Sequence, residues 1–191
     1  MKLNWADKPC VLIGGGPSLS QEQIDYAIRS GCYIMAINNG YQICPQADAL
    51  YACDKKWWNH YKPDYGGAKY SLEYGSNEVC KLKQTGIYGI DFEWPGIRTG
   101  QNSGYQAINL AIHFGCTRLI LIGYDMQHTQ NKKHWHPDHP KPLSNAEPVK
   151  SFLANYNQVA PVLKYHGIEV TNCSIESALK CFPRARIEDV L

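Results

Sequence analysis

Four short apolar runs constrain this chain more than anything else in it. They are Pro9–Gly14, Cys32–Ile37, Ala47–Cys53 and Arg118–Ile122, and each ends in or is followed by glycine, asparagine or aspartate. Apolar runs of this length bounded by turn formers read as strands buried on both faces, the pattern of a parallel sheet. Helical spacing lies between them. Gln21–Arg29 carries Ile24 and Ile28 and stops at Gly31, and Lys55–Tyr61 carries Trp57 and Trp58. Asn102-Ser103-Gly104 opens a helix through Phe114, with Ser103 as its expected N-cap. The alternation predicts a three-layer α/β domain with a central, mainly parallel sheet. Its ligand crevice would lie at the carboxyl ends of the four runs.

The rest of the chain is read more coarsely. Lys69–Tyr74, Ile87–Phe92 and Gly167–Thr171 are expected strands, and Trp94–Gln101 an expected loop. Ser151–His166 is an expected helix kinked at Pro161, Glu176–Cys181 a short one, and Arg186–Leu191 a final turn. With 191 residues, a single domain over 1–191 is expected. Hydrophobic residues at 44% and charged residues at 19% exclude wholesale disorder. No apolar run is long enough to span a bilayer, and the first residues lack the apolar stretch of a signal peptide. A net charge of +2 gives no broad nucleic-acid footprint. Eight cysteines without a CxxC pair read as free thiols in a reducing, cytoplasmic compartment.

Several segments have the chemistry of a site. Gly14, Gly15, Gly16, Pro17 and Ser18 follow the first run, where glycines let a backbone approach a phosphate. A tight strand-to-helix turn explains them equally. Asn38 and Asn39 follow the second run and Asp54 the third, placed to read a base or ribose, with ordinary turn chemistry as the competing reading. Thr99–Gly104 precedes a helix and offers a second set of donors, Thr99, Ser103 and Gly104 among them. Gly123–Ser144 lacks periodicity and holds four histidines and three prolines, which reads as a lid. His134, His136 and His139 there serve as a general base, as metal ligands or as surface residues; Pro137 and Pro140 forbid a helical HExxH frame. Trp57, Trp58, Tyr61, Tyr65, Tyr70 and Tyr74 stand among lysines, a pattern of sugar or base binding or of core packing.

Taken in order, the blocks Gly14–Leu19, Asn38, Thr99–Gly104 and Gly123–Asp125 resemble the bacterial single-domain sialyltransferases that use CMP-sialic acid. They are also similar to the wider group containing archaeal 6-hydroxymethyldihydropterin pyrophosphokinase-like proteins. The resemblance covers scattered blocks of Pro9–Met126 plus the lid, and the Ser177–Pro183 ending resembles phage-encoded members. It implies a Rossmann-like, glycosyltransferase-A-like domain. It implies nucleotide contacts at Gly14, Gly16, Pro17, Ser18, Asn38, Ser103, Gly104, Gly123 and Asp125, and a lid histidine as base. Gly15 replaces the asparagine found between the loop glycines of that family, and Gln127 stands where it has a tyrosine.

The expected activity is transfer of a sugar from a nucleotide-sugar donor, a CMP-sugar in the first instance, to an acceptor hydroxyl. The acceptor would be a glycan, a small molecule or a modified nucleobase. His136 is the first choice of base, with His134 and His139 behind it, and no metal or cofactor is required. One alternative is a pyrophosphokinase or other nucleotidyl enzyme with magnesium on Asp54 and Asp125. Another is a nucleotide-binding protein without catalysis.

Overall fold

The computed structural model describes residues 2–129, 131–141, 143 and 150–191. Gln130, Pro142 and Ser144 of the expected lid fall outside the described residues. The chain opens with β1 (Cys10–Ile13), α1 (Gln21–Arg29), β2 (Tyr33–Ile37), the single turn α2 (Gly40–Ile43), β3 (Ala49–Tyr51) and α3 (Lys55–Tyr61). β4 (Ala68–Ser71), β5 (Val79–Lys81), β6 (Lys83–Gly86) and β7 (Gly96–Arg98) follow. Then come α4 (Ser103–His113), β8 (Arg118–Ile122), α5 (Lys150–Tyr165), β9 (Glu169–Asn172) and a 3-10 turn at Ile187–Asp189.

Seven strands form one sheet in the order β5-β4-β3-β2-β1-β8-β9, and all its pairings are parallel. The chain builds outward from β1 to β5, then returns to add β8 and β9 on the other side of β1. The connections from β1 therefore diverge beside β8, which opens a crevice at the carboxyl ends of this pair. Alternate residues of the central strand enter different cores. Cys10 and Leu12 pack with Ile108, Ala111, Tyr156 and Val159 of α4 and α5. Val11 and Ile13 pack with Ile24 and Ala27 of α1 and with Trp57 and Trp58 of α3. Period-two alternation thus divides one strand between two apolar faces, and each face needs helices to cover it.

The helices α1 and α3 and the strand β8 fall where the sequence pattern puts them. Three segments differ. Ile87–Phe92 is not a strand; Gly86 and Gly89 have φ of +147° and +79°, which breaks an extended run. The neighbouring stretch expected as a loop contains β7, paired in parallel with β6. Asn109 of α4 fixes this region, because its Oδ1 accepts from the amides of Asp91 and Arg98. Glu176–Cys181 is not a helix either. The Ala178 amide donates to the Asp125 carbonyl, and the Leu179 amide to Ser177 Oγ. Tertiary partners have taken the donors a helix would use.

Among the described residues no helix is long and apolar enough to cross a membrane. All eight cysteines are unpaired, and Cys10, Cys44, Cys116 and Cys173 are buried. Alkylation of the unfolded chain without reductant is expected to add eight labels by mass. Six or fewer would mean at least one bridge in the native protein.

Candidate functional site

The crevice at the carboxyl edge is a cleft of about 630 Å³. Its floor is the pair of turns after β1 and β8. Gly14 N–H donates to the Ile122 carbonyl at 2.8 Å, and Gly16 N–H to the Gly123 carbonyl at 2.7 Å. A Cβ on Gly14 would sit 2.5 Å from the Gly123 oxygen, and one on Gly16 would sit 2.1 Å from Asp125 Oδ1. These glycines are therefore required for the approach of two backbones. Asp125 is almost fully buried and locks the same junction. Its carboxylate accepts from Ser18 N at 2.9 Å, Ser18 Oγ at 2.8 Å and Thr129 Oγ1 at 3.2 Å. Burial raises its pKa, and the Ser18 bonds pull the other way.

This geometry redistributes the expected roles. The amides of Gly14, Gly16 and Ser18 are spent inside the protein, and α1 begins only at Gln21, away from the cleft lining. The open donors lie at α4, whose first residues also line the cleft. Its N-cap is Asn102 rather than Ser103, and the Asn102 side chain accepts from Tyr105 N and from Tyr156 Oη. The amides of Ser103 and Gly104 are left in the first turn without an intrahelical acceptor. Tyr124 Oη on the Gly104 carbonyl and Asn155 Nδ2 on the Gly100 carbonyl hold this end in place.

Of the expected site residues, Gly14, Gly15, Gly16, Asn38, Asp54, Ser103, Gly104, Gly123, Asp125, His134, His136 and His139 line the cleft. Pro17, Ser18 and Thr99 do not. Thr99 serves the fold, with its carbonyl taken by Gln106 Nε2. Asn39 is also structural, because its Oδ1 accepts from Trp57 Nε1 at 2.8 Å. Gln101 of the Thr99–Gly104 segment and Trp135 of the lid line the same space, and so does Glu73, which sequence reading missed. Glu73 follows β4 as Asp54 follows β3, so the strand-end rule that picks out Asp54 also applies to it. Cys53, Asp54 and Glu73 form a group whose donor atoms lie within 4.8 Å of one another. Burial and the neighbouring Glu73 raise the Asp54 pKa. Asp54 and Asp125, the expected magnesium pair, do not form such a group; the Asp125 oxygens are already occupied.

The lid histidines gather at the mouth. Ring centroids are 4.9 Å apart for His134 and His136, 5.7 Å for His134 and His139, and 4.9 Å for His136 and His139. Burial lowers the pKa of all three, and for His139 the other two rings add to it, taking it from 6.5 to about 4. His136 Nδ1 lies 2.7 Å from the Pro137 carbonyl. A carbonyl only accepts, so Nδ1 carries the proton and Nε2 is left with the lone pair.

Among the described residues, three buried polar atoms of residues that line the cleft have no partner: Asn38 Oδ1, His134 Nε2 and Trp135 Nε1. Asn38, Gln101 and Met126 also line the cleft with φ of +50°, +56° and +50°. Orphaned polar atoms and left-handed non-glycine backbone concentrated in one place make this cleft the candidate site. Comparison of the chain with family models, with curated proteins and with solved structures returned no match.

Two outcomes follow. Gly16→Ala is expected to lower stability by about 1–3 kcal/mol through overpacking against Asp125 and the Gly123 carbonyl. Gly15→Ala, whose Cβ meets only His134 Nδ1 at 3.5 Å, is expected to keep the wild-type melting temperature. Gly16 substitution therefore reports on folding before it reports on ligand. The histidine pKa values also set a pH dependence. The unfolded chain binds more protons than the folded one between the ordinary histidine value of 6.5 and about 4 at His139, so stability falls as pH falls through that window. Melting curves of wild type and His139→Gln from pH 7 to about pH 4 check it; the variant is expected to show the shallower decline.

Proposed function

We propose that this protein is a transferase that moves a sugar from a nucleotide-sugar donor, with a CMP-sugar favoured, to an acceptor hydroxyl. The observation that carries the reading is the cleft wall itself. Three unpartnered buried polar atoms belong to residues that line the cleft with the lid histidines, and one of those histidines, His136, is held in the tautomer a base needs. The burial of β1 on both faces by helices supports a Rossmann-like, three-layer α/β/α arrangement around that cleft. Eight unpaired thiols support a reducing compartment, and we place the protein in the cytoplasm.

In this reading the donor phosphate takes the open amides of Ser103 and Gly104 at the start of α4. Charge developing on the departing phosphate oxygen is then met by preorganised donors. Asn38 Oδ1 accepts from the nucleoside. His136 Nε2 removes the acceptor proton as the acceptor oxygen bonds to the anomeric carbon and the bond from that carbon to the phosphate oxygen breaks. Burial keeps His136 unprotonated at neutral pH, which is the form the step consumes. Gly14, Gly16 and Asp125 fix the floor without touching the reacting atoms.

A second reading is favoured by one observation, the Asp54–Glu73–Cys53 group, whose two carboxylate residues line the cleft. Its carboxylates suit a divalent ion, which a pyrophosphokinase or nucleotidyl enzyme would require.

A thermal-shift series with CMP, UDP, GDP, ADP and their sugars, with and without chelator, separates the readings. A CMP-class ligand is expected to raise the melting point with chelator present. Strict magnesium dependence would favour the second reading, and binding without turnover of any donor would make this a nucleotide-binding protein. His136→Ala is expected to cut transfer by about 10²-fold or more with donor affinity unchanged. Full turnover in that variant would remove the base role.

A further inference from the structure

The aromatic residues of α3 pack into a line that runs from the core to the lid. Trp58 and Trp57 are buried, with ring centroids 5.1 Å apart. Trp57 and Tyr61 lie one helical turn apart on α3, and their rings are 5.2 Å apart. Tyr61 Oη then lies 2.6 Å from His139 Nδ1, and the two rings meet nearly edge-on at 5.7 Å. His139 lies 4.9 Å from His136, and His136 lies 4.9 Å from His134. Six rings thus connect a buried pair of tryptophans to the mouth of the cleft.

We propose that Tyr61 is the positioning residue of the lid: it fastens His139 to α3 and, through the packed rings, holds His136 over the cleft. The inference rests on the base role of His136 set out above. Two features make Tyr61 the anchor. It stands on a helix fixed by Trp57 Nε1 on Asn39 and Trp58 Nε1 on the Ala52 carbonyl, so its hydroxyl has a set position. The lid, by contrast, is irregular backbone, tied to the floor by the Trp135 amide on the Gly15 carbonyl at 3.3 Å. A base that must approach an acceptor hydroxyl within hydrogen-bond reach needs firmer placement than such backbone supplies. Tyr61 touches neither donor nor acceptor in this scheme and acts only through the histidines. Among the described residues, the titratable groups facing His139 include His134, His136 and Asp138 of the lid and His60 and Tyr61 of α3.

The test is Tyr61→Phe in the full chain, which keeps the ring and removes the hydroxyl. Donor affinity is expected to stay within about twofold, while turnover falls by about 10-fold to 100-fold, the scale of a misplaced catalytic group. The acid limb of the pH–rate profile is expected to move up, because a released lid exposes the histidines to water and restores their affinity for protons. Nitrogen NMR of the imidazoles gives a readout that needs no substrate: the His139 titration should shift in Tyr61→Phe towards that of an exposed histidine. His139→Gln breaks the same bond from the lid side, and the His136 titration then serves as the readout if Tyr61→Phe folds poorly. Unchanged histidine titrations in folded variants would overturn the proposal, as would unchanged turnover and acid limb. If instead His136→Ala keeps full turnover while the Tyr61→Phe titration shifts, the base role fails and the fastening of the lid stands.

Discussion

β1 and β8 run side by side in register from Cys10 against Leu119 to Ile13 against Ile122, and their turns then come into contact. Two backbones can meet this closely only where side chains are absent. Gly14 and Gly16 supply that, and Asp125 closes the junction by taking both the amide and the hydroxyl of Ser18. Everything above this floor depends on it. The lid emerges from the turn that carries Asp125, Thr129 of the lid bonds the same carboxylate, and the Gly15 carbonyl receives the lid's Trp135 amide. Burial of Asp125 disfavours its charge, and the bonds from Ser18 and Thr129 offset that cost where the loops need a fixed acceptor.

The cleft that results has a chemically mixed lining. It includes the open first turn of α4, held by hydrogen bonds from Tyr124, Tyr156 and Asn155. It also includes Asp54 and Glu73 after β3 and β4. An anionic group is therefore drawn towards α4 and repelled from the carboxylates unless a cation intervenes. In the proposed reading this polarity would turn a donor phosphate towards Ser103, and a metal-dependent mechanism would differ at the carboxylates.

The lid shows how aromatic residues of a short helix serve a site. Trp57, Trp58 and Tyr61 were legible as a cluster next to lysines, with core packing and ligand binding as competing readings. The structure gives them both structural and site-facing neighbours: the tryptophans belong to the core under the sheet, and Tyr61 reaches the histidines. Neutral imidazoles can crowd one another in this way because burial and mutual repulsion disfavour their protonated forms.

The sequence by itself determined the four central strands and the edge of the sheet that matters. Apolar runs of β1, β2, β3 and β8 must be buried on both faces, and polar or glycine residues directly after them mark one edge, so Asn38, Asp54, Gly123 and the glycine turn could be named in advance. The helices α1 and α3 were legible because their period and stop signals are local. Other features depend on partners distant in the chain, and only the tertiary structure decided them. Asn102 rather than Ser103 caps α4 because Tyr156, more than fifty residues away, shares its side chain. Ser177, Ala178 and Leu179 leave helical geometry because Tyr124, Asp125 and Asn172 claim their polar groups. The turn glycines lose their free amides to the carbonyls of β8 and its turn. In each case a backbone or side-chain donor has several acceptors of similar strength, and the local pattern cannot rank them. The packing of the sheet and its helices does, by bringing one of them within reach.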